Sequence, residues 1–375
     1  MRQLLDPGSF SDRTFAAHEN ERLFASTWQL VALAADLPSA GDYSLVNVAG
    51  RQWVLRRAAD GEVRAFANVC LHRGARICGA RGNGPMRCGY HGWTYDDHGR
   101  LVGVPFRADF DREHALEALE LPQATIESWG PALFLRPAAH GPSLAEELGP
   151  LHAQLDPLFR AMDRPLEYAS IDIDANWKLV MENALETYHV RFIHQHSIQP
   201  LGFEVTRTDF HGAHSVSHYS APASARKERA LAFAFPQRPC ALDGYLHANI
   251  FPNSTVATAY GNFFVLTRTE PLDVGKTRLH WYMLSTRCGE RSQGATDAAQ
   301  MMDDSNRQFL RATFEEDGAI CASTHAGCRE ATSRGYLGAQ EQRVLAFERE
   351  VSARLCATRT TAARPGSSSR APQEG

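Results

Sequence analysis

Alternating apolar and polar residues dominate the first third of the chain. The segments YSLVNVAG and QWVLRRA alternate in the way that half-buried strands do. The residues ADGE follow the second segment and predict a hairpin turn to the next strand. A further strand, turn and strand are predicted in WTYDDHGRLVGV, with DHG at the turn. The pattern therefore predicts a small antiparallel β domain within residues 28–136.

The pattern changes after the polar stretch 136–150, which we interpret as a domain boundary. Helices are predicted at 176–197, 303–327 and 339–355 from their apolar periodicity. Strands are predicted between these helices in STVATAY, NFFVLTRTEPL and TRLHWYMLS. Strands and helices that do not strictly alternate are typical of the α+β class. We therefore expect a larger domain in which helices flank an antiparallel sheet.

The expected domain limits follow from these patterns. Residues 28–150 form the first domain, and residues 1–27 join 151–357 in the second. The last residues, 358–375, are rich in Ser, Pro and Gly and are predicted to be disordered.

Composition excludes several functional classes. The 375 residues carry a formal net charge of −4, which provides no basic surface for nucleic acid. The longest apolar runs, such as LVALAADL, are too short to span a bilayer, and the first residues lack the pattern of a signal peptide. We therefore expect a cytoplasmic protein that binds neither membrane nor nucleic acid. In a reducing compartment, clustered cysteines indicate metal binding or catalysis more often than disulfides.

Four residues in one segment have the side chains and spacing of metal ligands. Cys70 and His72 are separated by one residue, and Cys88 and His91 follow after 15 residues, with two between them. Two thiolates and two imidazoles suit a tetrahedral zinc ion, and they equally suit a two-iron, two-sulfur cluster in which histidines replace cysteines on one iron. Each short arm carries one Cys and one His, so each arm can give one ligand to each iron. Glycines around the ligands let the backbone fold closely.

The two arms, CLHRGA and CGYHGW, resemble the cluster-binding loops of Rieske proteins. Together with FANVCLHRGARI and HGWTYDDHGRLVGVP, they are similar to the Rieske non-haem iron oxygenases. That family has proline after each cysteine, where this chain has Leu71 and Gly89, but no ligand is lost. Tyr90 stands where respiratory Rieske proteins have a second-loop cysteine, so Cys78 has no expected disulfide partner. This difference favours the terminal oxygenase (alpha) subunits over the respiratory branch.

A second motif predicts a mononuclear iron site. His189 and His194 are five residues apart on a predicted helix, so a bulge or a helix end is needed to direct both rings inward. Two imidazoles with one carboxylate form the facial site of non-haem iron(II) enzymes, which leaves positions open for O2 and substrate. The segment resembles the family motif E-N-x-x-(D/E)-x-Y-H-x4-H at Glu182, Asn183, Glu186, Tyr188, His189 and His194.

The carboxylate ligand is predicted further along the chain, in the segment FEEDGAI. The resemblance to the family's E-D-x-x-I segment selects Asp317, followed by Ile320, and Glu316 remains the alternative. His196 is near in sequence, but its spacing does not match, so we expect it outside the iron ligands.

Glu186 has a bridging role by the same resemblance. In the family an acidic residue here accepts hydrogen bonds from an iron histidine and from a cluster histidine of another subunit. The resemblance implies contacts of Glu186 with His189 and with His91 of the partner subunit, in a head-to-tail homotrimer. A complex with an additional small β-subunit remains open. Most relatives have Asp here, and Glu either marks the branch that oxidises quaternary ammonium compounds or is a tolerated variant.

The resemblance implies a terminal oxygenase with a Rieske [2Fe-2S] cluster, mononuclear Fe(II) and O2 as co-substrate. No G-x-G-x-x-G follows a strand, and no plant-type cysteine spacing indicates a second cluster, so NAD(P)H is expected to act through a separate reductase, with or without a ferredoxin. Expected reactions are hydroxylation of an aromatic or other C–H bond, dihydroxylation, N-oxygenation, or N-demethylation of a quaternary ammonium compound. A Rieske electron carrier and a zinc-binding module are the alternatives from other classes.

Aromatic residues on the predicted strands suggest a further possibility. They could surround a quaternary ammonium group by cation–π contact, or they could simply pack in the core. The residues are Tyr260, Phe263, Phe264, Trp281 and Tyr282.

Overall fold

The computed structural model describes residues 1–110, 115–222, 242, 244–261, 263–286 and 293–356. The predicted disordered tail, 358–375, lies outside these residues. Two seven-stranded antiparallel sheets and one three-stranded sheet form the framework, with helices on the second large sheet. The predicted α+β class is confirmed, whereas the predicted domain limits stay predictions.

The first large sheet has the strand order β1-β10-β9-β4-β3-β2-β5. A three-stranded sheet, β6-β7-β8, stands beside it. The strands are β1 (Gln29–Leu33), β2 (Asp42–Val48), β3 (Arg51–Arg57), β4 (Val63–Ala67), β5 (Gly82–Asn83), β6 (Met86–Arg87), β7 (Thr94–Tyr95), β8 (Leu101–Gly103), β9 (Gln123–Trp129) and β10 (Ala132–Arg136). The antiparallel pairs β3–β4 and β7–β8 confirm both predicted hairpins.

The second large sheet has the strand order β11-β17-β16-β15-β14-β13-β12. Its strands are β11 (Met162–Ile173), β12 (Glu204–His211), β13 (His214–Ser220), β14 (Tyr245–Ile250), β15 (Ser254–Ala259), β16 (Phe263–Asp273) and β17 (Lys276–Thr286). The last three agree with the predicted strands. The long strand β11 was not predicted; it contains Pro165, which a strand tolerates at the edge of a sheet, where β11 lies.

Short helices precede the second sheet and line it, and two long helices follow it. They are α1 (Arg13–His18), continued by a π-helical segment (Glu19–Phe24), α2 (Leu144–Leu148), α3 (Pro150–Ala161), α4 (Trp177–Ala184), α5 (Val190–Ile193), α6 (Gln293–Cys328) and α7 (Gln342–Cys356). The stretch 136–150, interpreted from the sequence as a domain boundary, contains α2. Ser143 and Glu146 form a capping box at its start, a signal that is present in the sequence.

The single helix predicted over 176–197 is wrong, because the structure has two short helices there. Helix α4 ends at Ala184, and α5 begins only at Val190. Between them the Glu186 carboxylate accepts hydrogen bonds from the backbone N–H groups of Tyr188 and His189. A side chain that bonds its own following backbone competes with the helical hydrogen bonds, so the chain turns here.

Strand pleating gives the second sheet two different faces. Even-numbered residues of the central strands pack in a core shared with the first sheet and α3, and this core includes Val216, Leu246, Val256, Phe264, Leu266, Tyr282, Leu284, Trp28, Phe134 and Phe159. Odd-numbered residues face the other way, towards α6, where Val265 and Met283 pack with Leu310. Alternation with period two therefore separates the structural face from the face that α6 covers.

The N-terminal segment is fixed to the second sheet's helices by a buried ion pair. Lys178 Nζ lies 2.6 Å from Glu19 Oε1, and both side chains are almost fully buried. The indole N–H of Trp177 donates to the other Glu19 oxygen at 2.9 Å. Phe10, Leu23 and Phe24 pack around them in the same apolar cluster. Within the described residues, no helix is long and apolar enough to cross a membrane.

We expect Glu19→Ala to destabilise the protein by about 3–5 kcal/mol, because it removes the hydrogen-bonded carboxylate partner of the buried Lys178 ammonium. Denaturant unfolding followed by circular dichroism measures the loss. The double variant Glu19→Ala/Lys178→Met should be less destabilised than the single one. Arg13→Ala removes the exposed Arg13–Asp273 pair and should cost no more than about 1 kcal/mol. Equal losses for Glu19→Ala and Arg13→Ala would contradict the role given to the buried pair.

Candidate metal centres and active-site cavity

Three predicted ligands meet where α5 packs against α6. His189 precedes α5, His194 follows it directly, and Asp317 lies in the middle of α6. The Nε2 atom of His194 is 2.9 Å from Asp317 Oδ1, and that of His189 is 3.5 Å from the same oxygen. One ligand atom from each residue lies within 4.8 Å of the others. The helix end anticipated at the second histidine is what brings both rings to one point.

A carboxylate behind each histidine fixes the direction of its ring. His189 Nδ1 bonds Glu186 Oε1, and His194 Nδ1 bonds Glu316 Oε2 at 2.6 Å. With both Nδ1 atoms engaged, both Nε2 atoms are directed at Asp317. Such partners are what metal-bound histidines require for orientation and basicity.

The alternative ligand Glu316 has a different position from Asp317. Asp317 contacts both Nε2 atoms and accepts a hydrogen bond from Asn183 Nδ2 at 2.7 Å. Glu316 contacts only the far nitrogen of His194 and also accepts from Ser197 Oγ at 2.6 Å. The geometry therefore favours Asp317 over Glu316 as the ligand and places Glu316 behind the imidazole of His194. His196 is exposed and outside the group.

The electrostatics of these residues suit a cation. Burial lowers the pKa of His189, but its hydrogen bonds with Asp317 and Glu186 outweigh burial and raise the pKa to about 9. Burial raises the pKa of Asp317, but the hydrogen bonds with His189 and His194 prevail and lower the pKa to about 2. The protons held between these ring nitrogens and the Asp317 carboxylate occupy the positions that a divalent metal ion would take, and metal binding would release them. The donor set fits iron(II), with two imidazoles, one carboxylate and an open side.

The other four predicted ligands lie on two loops with the same backbone hydrogen bonds. Gly74 N–H donates to the Cys70 carbonyl at 2.9 Å, and Gly92 N–H donates to the Cys88 carbonyl at 2.9 Å. Both glycines have φ +74°, a left-handed conformation that favours glycine. The tight turns hold Cys70 and Cys88 in one buried apolar cluster.

The loops fit a two-iron, two-sulfur cluster. The imidazole rings of His72 and His91 are 4.6 Å apart between centroids, and His72 Nδ1 is buried with no hydrogen-bond partner among the described residues. The Tyr95 hydroxyl lies 3.3 Å from Cys70 Sγ. Two buried sulfurs with two histidines towards the surface match the mixed ligation of a Rieske centre. His91 is exposed at the surface of the single chain.

The loop that follows β4 is closed by a fully buried asparagine. Asn68 Oδ1 accepts the backbone N–H groups of Ile77 and Cys78, and its Nδ2 donates to the Cys78 carbonyl at 2.8 Å. Cys78 is a buried free thiol whose pKa burial raises to about 11, so it stays protonated.

A cavity of about 1410 Å³ opens onto His189, His194 and Asp317. Its floor is the odd-numbered face of the second sheet, and α4, α5 and α6 form its other walls. The lining residues from the sheet include Tyr219, Tyr245, His247, Thr255, Ala257, Ala259, Phe263, Val265 and Thr267. Much of this surface is apolar, which suits the body of an organic molecule.

The aromatic residues suggested by the sequence divide between two environments. Tyr260 and Phe263 line the cavity. Phe264 and Tyr282 face the shared core, and Trp281 packs on Phe314 at 5.0 Å between ring centroids, so these three form no cage for a ligand. The pleat explains the division for Phe264 and Tyr282, because even-numbered positions face away from the cavity.

Other residues around the cavity belong to no motif, and the sequence assigned them no specific role. Tyr219, Tyr245 and His247 lie on strands that were not predicted, and Arg343 lies on a predicted helix without an assigned role. The alternation of apolar and polar residues in HSVSHYS and YLHANI is typical of strands and could have predicted both.

Two family descriptions match the chain. Residues 160–357 match the ring hydroxylating alpha subunit (catalytic domain), and residues 27–122 match the Rieske [2Fe-2S] domain. The catalytic match covers more than half of the chain.

Two bacterial oxygenase subunits are similar to this chain in sequence. The anthranilate 1,2-dioxygenase large subunit of Burkholderia cepacia is 36% identical over 203 residues, 49% of this chain and 46% of that protein. The glycine betaine monooxygenase oxygenase subunit of Pseudomonas aeruginosa is 29% identical over 197 residues, 51% of this chain and 45% of that protein. The chain thus matches about half the length of these relatives.

A solved structure shows the same fold. The quaternary ammonium Rieske monooxygenase CntA, in complex with L-carnitine, has a TM-score of 0.74 and 20% identity, over 93% of this chain and 94% of that one. Together with the family matches, this establishes that the chain belongs to the Rieske oxygenase family of ring hydroxylating alpha subunits, with a Rieske [2Fe-2S] domain ahead of the catalytic domain.

Proposed function

We propose that this chain is the terminal oxygenase of a multicomponent system. It uses O2 and electrons from a separate NAD(P)H-dependent reductase to hydroxylate a small organic substrate. The observation that carries the proposal is the group His189, His194 and Asp317 at a large cavity, in a chain that also has a Rieske domain. An electron carrier or a zinc-binding module would need neither the second ligand set nor the cavity.

Each residue of the two centres then has a role. Cys70, His72, Cys88 and His91 hold the [2Fe-2S] cluster, and His189, His194 and Asp317 hold iron. A Rieske cluster supplies single electrons, and iron(II) with open positions supplies O2 activation. Glu186 and Glu316 hold the two imidazoles in the orientation that ligation needs, and Asn183 holds the carboxylate. The apolar cavity walls exclude water around the substrate and place it beside these residues.

Glu186 also supports a proposal about assembly. No hydrogen bond joins Glu186 to His91 within the described part of one chain, and His91 is exposed. Each carboxylate oxygen has two lone pairs, so Glu186 can accept a further hydrogen bond. We infer that His91 of the partner subunit supplies it, in a head-to-tail homotrimer.

Exposed apolar side chains near both centres support this assembly. Tyr188 and Phe192 are 56% and 64% exposed beside the mononuclear site, and Tyr90 and Phe106 are 58% and 83% exposed in the Rieske domain. The rings of Tyr188 and Phe192 are 6.0 Å apart between centroids, so these two form an adjacent exposed apolar pair that suits a contact with another subunit.

Two substrate classes have support. The relative from Burkholderia cepacia is named for an aromatic acid, which favours hydroxylation of an aromatic compound. The relative from Pseudomonas aeruginosa is named for glycine betaine, and the glutamate at position 186 is consistent with N-demethylation of a quaternary ammonium compound. The aromatic rings of Phe203, Tyr219 and Tyr245 could accommodate either class.

A single-turnover experiment tests the activity. Iron-loaded, pre-reduced protein is given O2 with N-methyl ammonium compounds or aromatic acids and amines, and product mass, formaldehyde and cluster oxidation are recorded. We expect His189→Ala to keep the cluster spectrum but to lose bound iron and product by about 100-fold or more, because a direct ligand is removed. His196→Ala, which removes an exposed histidine nearby, should leave both unchanged. Full product formation by an iron-verified His189→Ala variant would refute the assignment.

The two neighbouring carboxylates should respond differently to amide substitution. Asp317→Asn removes the charged ligand and should abolish iron binding. Glu316→Gln keeps an acceptor near His194 Nδ1 and Ser197, so iron affinity should fall only about 10–100-fold. Metal analysis after dialysis against a graded chelator measures both, with Glu315→Gln as the exposed control on the same helix. If Glu316→Gln lost iron and Asp317→Asn kept it, Glu316 would be the ligand and Asp317 the positioning residue.

Glu186→Gln should leave both metals bound and yet slow the oxidation of the reduced cluster by about 10–100-fold in the presence of substrate and O2. The reason is that the amide cannot accept hydrogen bonds from two imidazoles as a carboxylate does. Stopped-flow absorbance of the cluster measures the rate. Glu186→Asp, which keeps the charge, should recover part of it. An unchanged rate in Glu186→Gln would remove this residue from the path between the centres.

A further inference from the structure

A buried arginine stands behind one wall of the cavity. Arg343 belongs to α7 and is only 6% exposed. Its Nε donates to Ser215 Oγ at 2.9 Å, and its Nη1 donates to His247 Nδ1 at 3.1 Å. The Tyr219 hydroxyl lies beside the same guanidinium, and the ring of Tyr219 packs on that of Tyr245.

This guanidinium has no counter-charge in the described part of the chain. Three other buried cations have carboxylate partners: Lys178 pairs with Glu19, Arg56 with Asp97 and Arg268 with Glu270. The buried Arg136 instead donates to the Ala138 and Pro142 carbonyls and lies over the Trp28 ring. No such ion pair is found for Arg343 among the described residues, and its Nη2 atom is buried there without a hydrogen-bond partner. Burial lowers the pKa of Arg343, but arginine stays protonated in proteins. A buried, uncompensated cation is costly, and an anion bound nearby would offset that cost.

The charge lies directly behind the cavity lining. In the sheet, Ser217 pairs with His247 and Tyr219 pairs with Tyr245. Tyr219, Tyr245 and His247 all line the cavity that contains Asp317. Arg343 bonds His247 and lies beside Tyr219, so a single layer of side chains separates its guanidinium from the cavity.

Arg343 also determines which hydrogen-bonding group His247 offers. A guanidinium has donors only, so His247 Nδ1 must be an acceptor and the ring proton must be on Nε2. Burial and the neighbouring Arg343 lower the pKa of His247 to about 3, so the ring is neutral. His247 therefore has a fixed N–H donor, and Tyr219 and Tyr245 add two hydroxyl groups to the same wall.

We propose that this wall, formed by Tyr219, Tyr245 and His247 and backed by Arg343, binds a carboxylate group of the substrate. The inference rests on the proposed function, since it deepens the substrate class of that cavity. In the proposed function iron at His189, His194 and Asp317 keeps its open positions for O2, so the substrate carboxylate is not expected to occupy them. The carboxylate therefore points to the Arg343 wall, and the opposite end of the substrate reaches His189, His194 and Asp317. The apolar lining between them holds the carbon skeleton.

The test compares the binding of acids and matched uncharged or carboxylate-free molecules. Anaerobic titration calorimetry on the full chain, loaded with cluster and iron, uses benzoate against benzamide and glycine betaine against choline. We expect the acid to bind more tightly in at least one pair, and that pair identifies the substrate skeleton. Arg343→Gln should reduce the affinity for the acid by roughly 10–100-fold, as expected for the loss of a hydrogen-bonded charge. The affinity for the matched compound without a carboxylate should change by less than about 3-fold.

A second variant keeps the test decisive if Arg343→Gln does not fold. His247→Phe removes the N–H donor at similar size and should reduce the preference for the acid, whereas His247→Gln keeps a donor and should retain part of it. His214→Gln is the control, because His214 is also a buried neutral histidine of this sheet but bonds the Phe251 backbone and is absent from the cavity lining. It should leave the preference unchanged.

Several outcomes would overturn the proposal. They are equal binding within both pairs, no binding of either acid, or equal weakening of acid and partner in Arg343→Gln and His247→Phe. The last result would show that Arg343 acts only as a structural charge. Iron content and the cluster spectrum are measured on the same samples. Their absence in the wild-type protein would instead refute the proposed oxygenase, so the two failures are distinguishable.

Discussion

The hydrogen bonds from two histidines to two carboxylates determine the geometry of the catalytic centre. Glu186 holds His189, and Glu316 holds His194, each through Nδ1. With the Nδ1 atoms occupied, both Nε2 atoms converge on Asp317. The Glu186 carboxylate also bonds the backbone between α4 and α5, so one side chain both ends the regular helix and orients a ligand. Local chain conformation and metal geometry therefore depend on the same contact.

The second sheet places this centre in a cavity because one of its faces packs in the core and the other lines the cavity. Its even-numbered residues pack on α3 and on the first sheet, and this packing makes the sheet a rigid support. Its odd-numbered residues are then available to line the cavity opposite α6. Polar contacts also cross between the two sheets: Asn47 Nδ2 donates to Glu270 Oε1 at 2.9 Å, and Glu270 in turn pairs with Arg268. The Rieske domain and the cavity are thus held by one continuous framework.

The buried cations of the described residues have different surroundings. The pairs Lys178–Glu19 and Arg268–Glu270 are compensated within the protein. Arg343 is held by neutral partners, Ser215 and His247. The contrast follows from position, because the paired cations lie in structural interfaces and Arg343 lies behind the cavity wall. A guanidinium without an ion-pair partner among the described residues suits recognition of an anionic group at that wall.

The sequence by itself determined the chemistry of both centres, because ligand types at short, fixed spacing constrain the chain locally. The pairs Cys70/His72 and Cys88/His91 each fit within one tight turn, and His189 and His194 flank one helical turn. The sequence could not separate the positions of Glu316 and Asp317, since adjacent residues on a helix point in directions that only packing reveals. The packing of α6 on α5 places Asp317 against both Nε2 atoms and Glu316 against His194 Nδ1. The sequence also could not place His247 and Arg343 together, because their contact joins β14 to α7 across 96 residues of chain. Only the tertiary structure decides such contacts, since they depend on how the faces of strands and helices are packed.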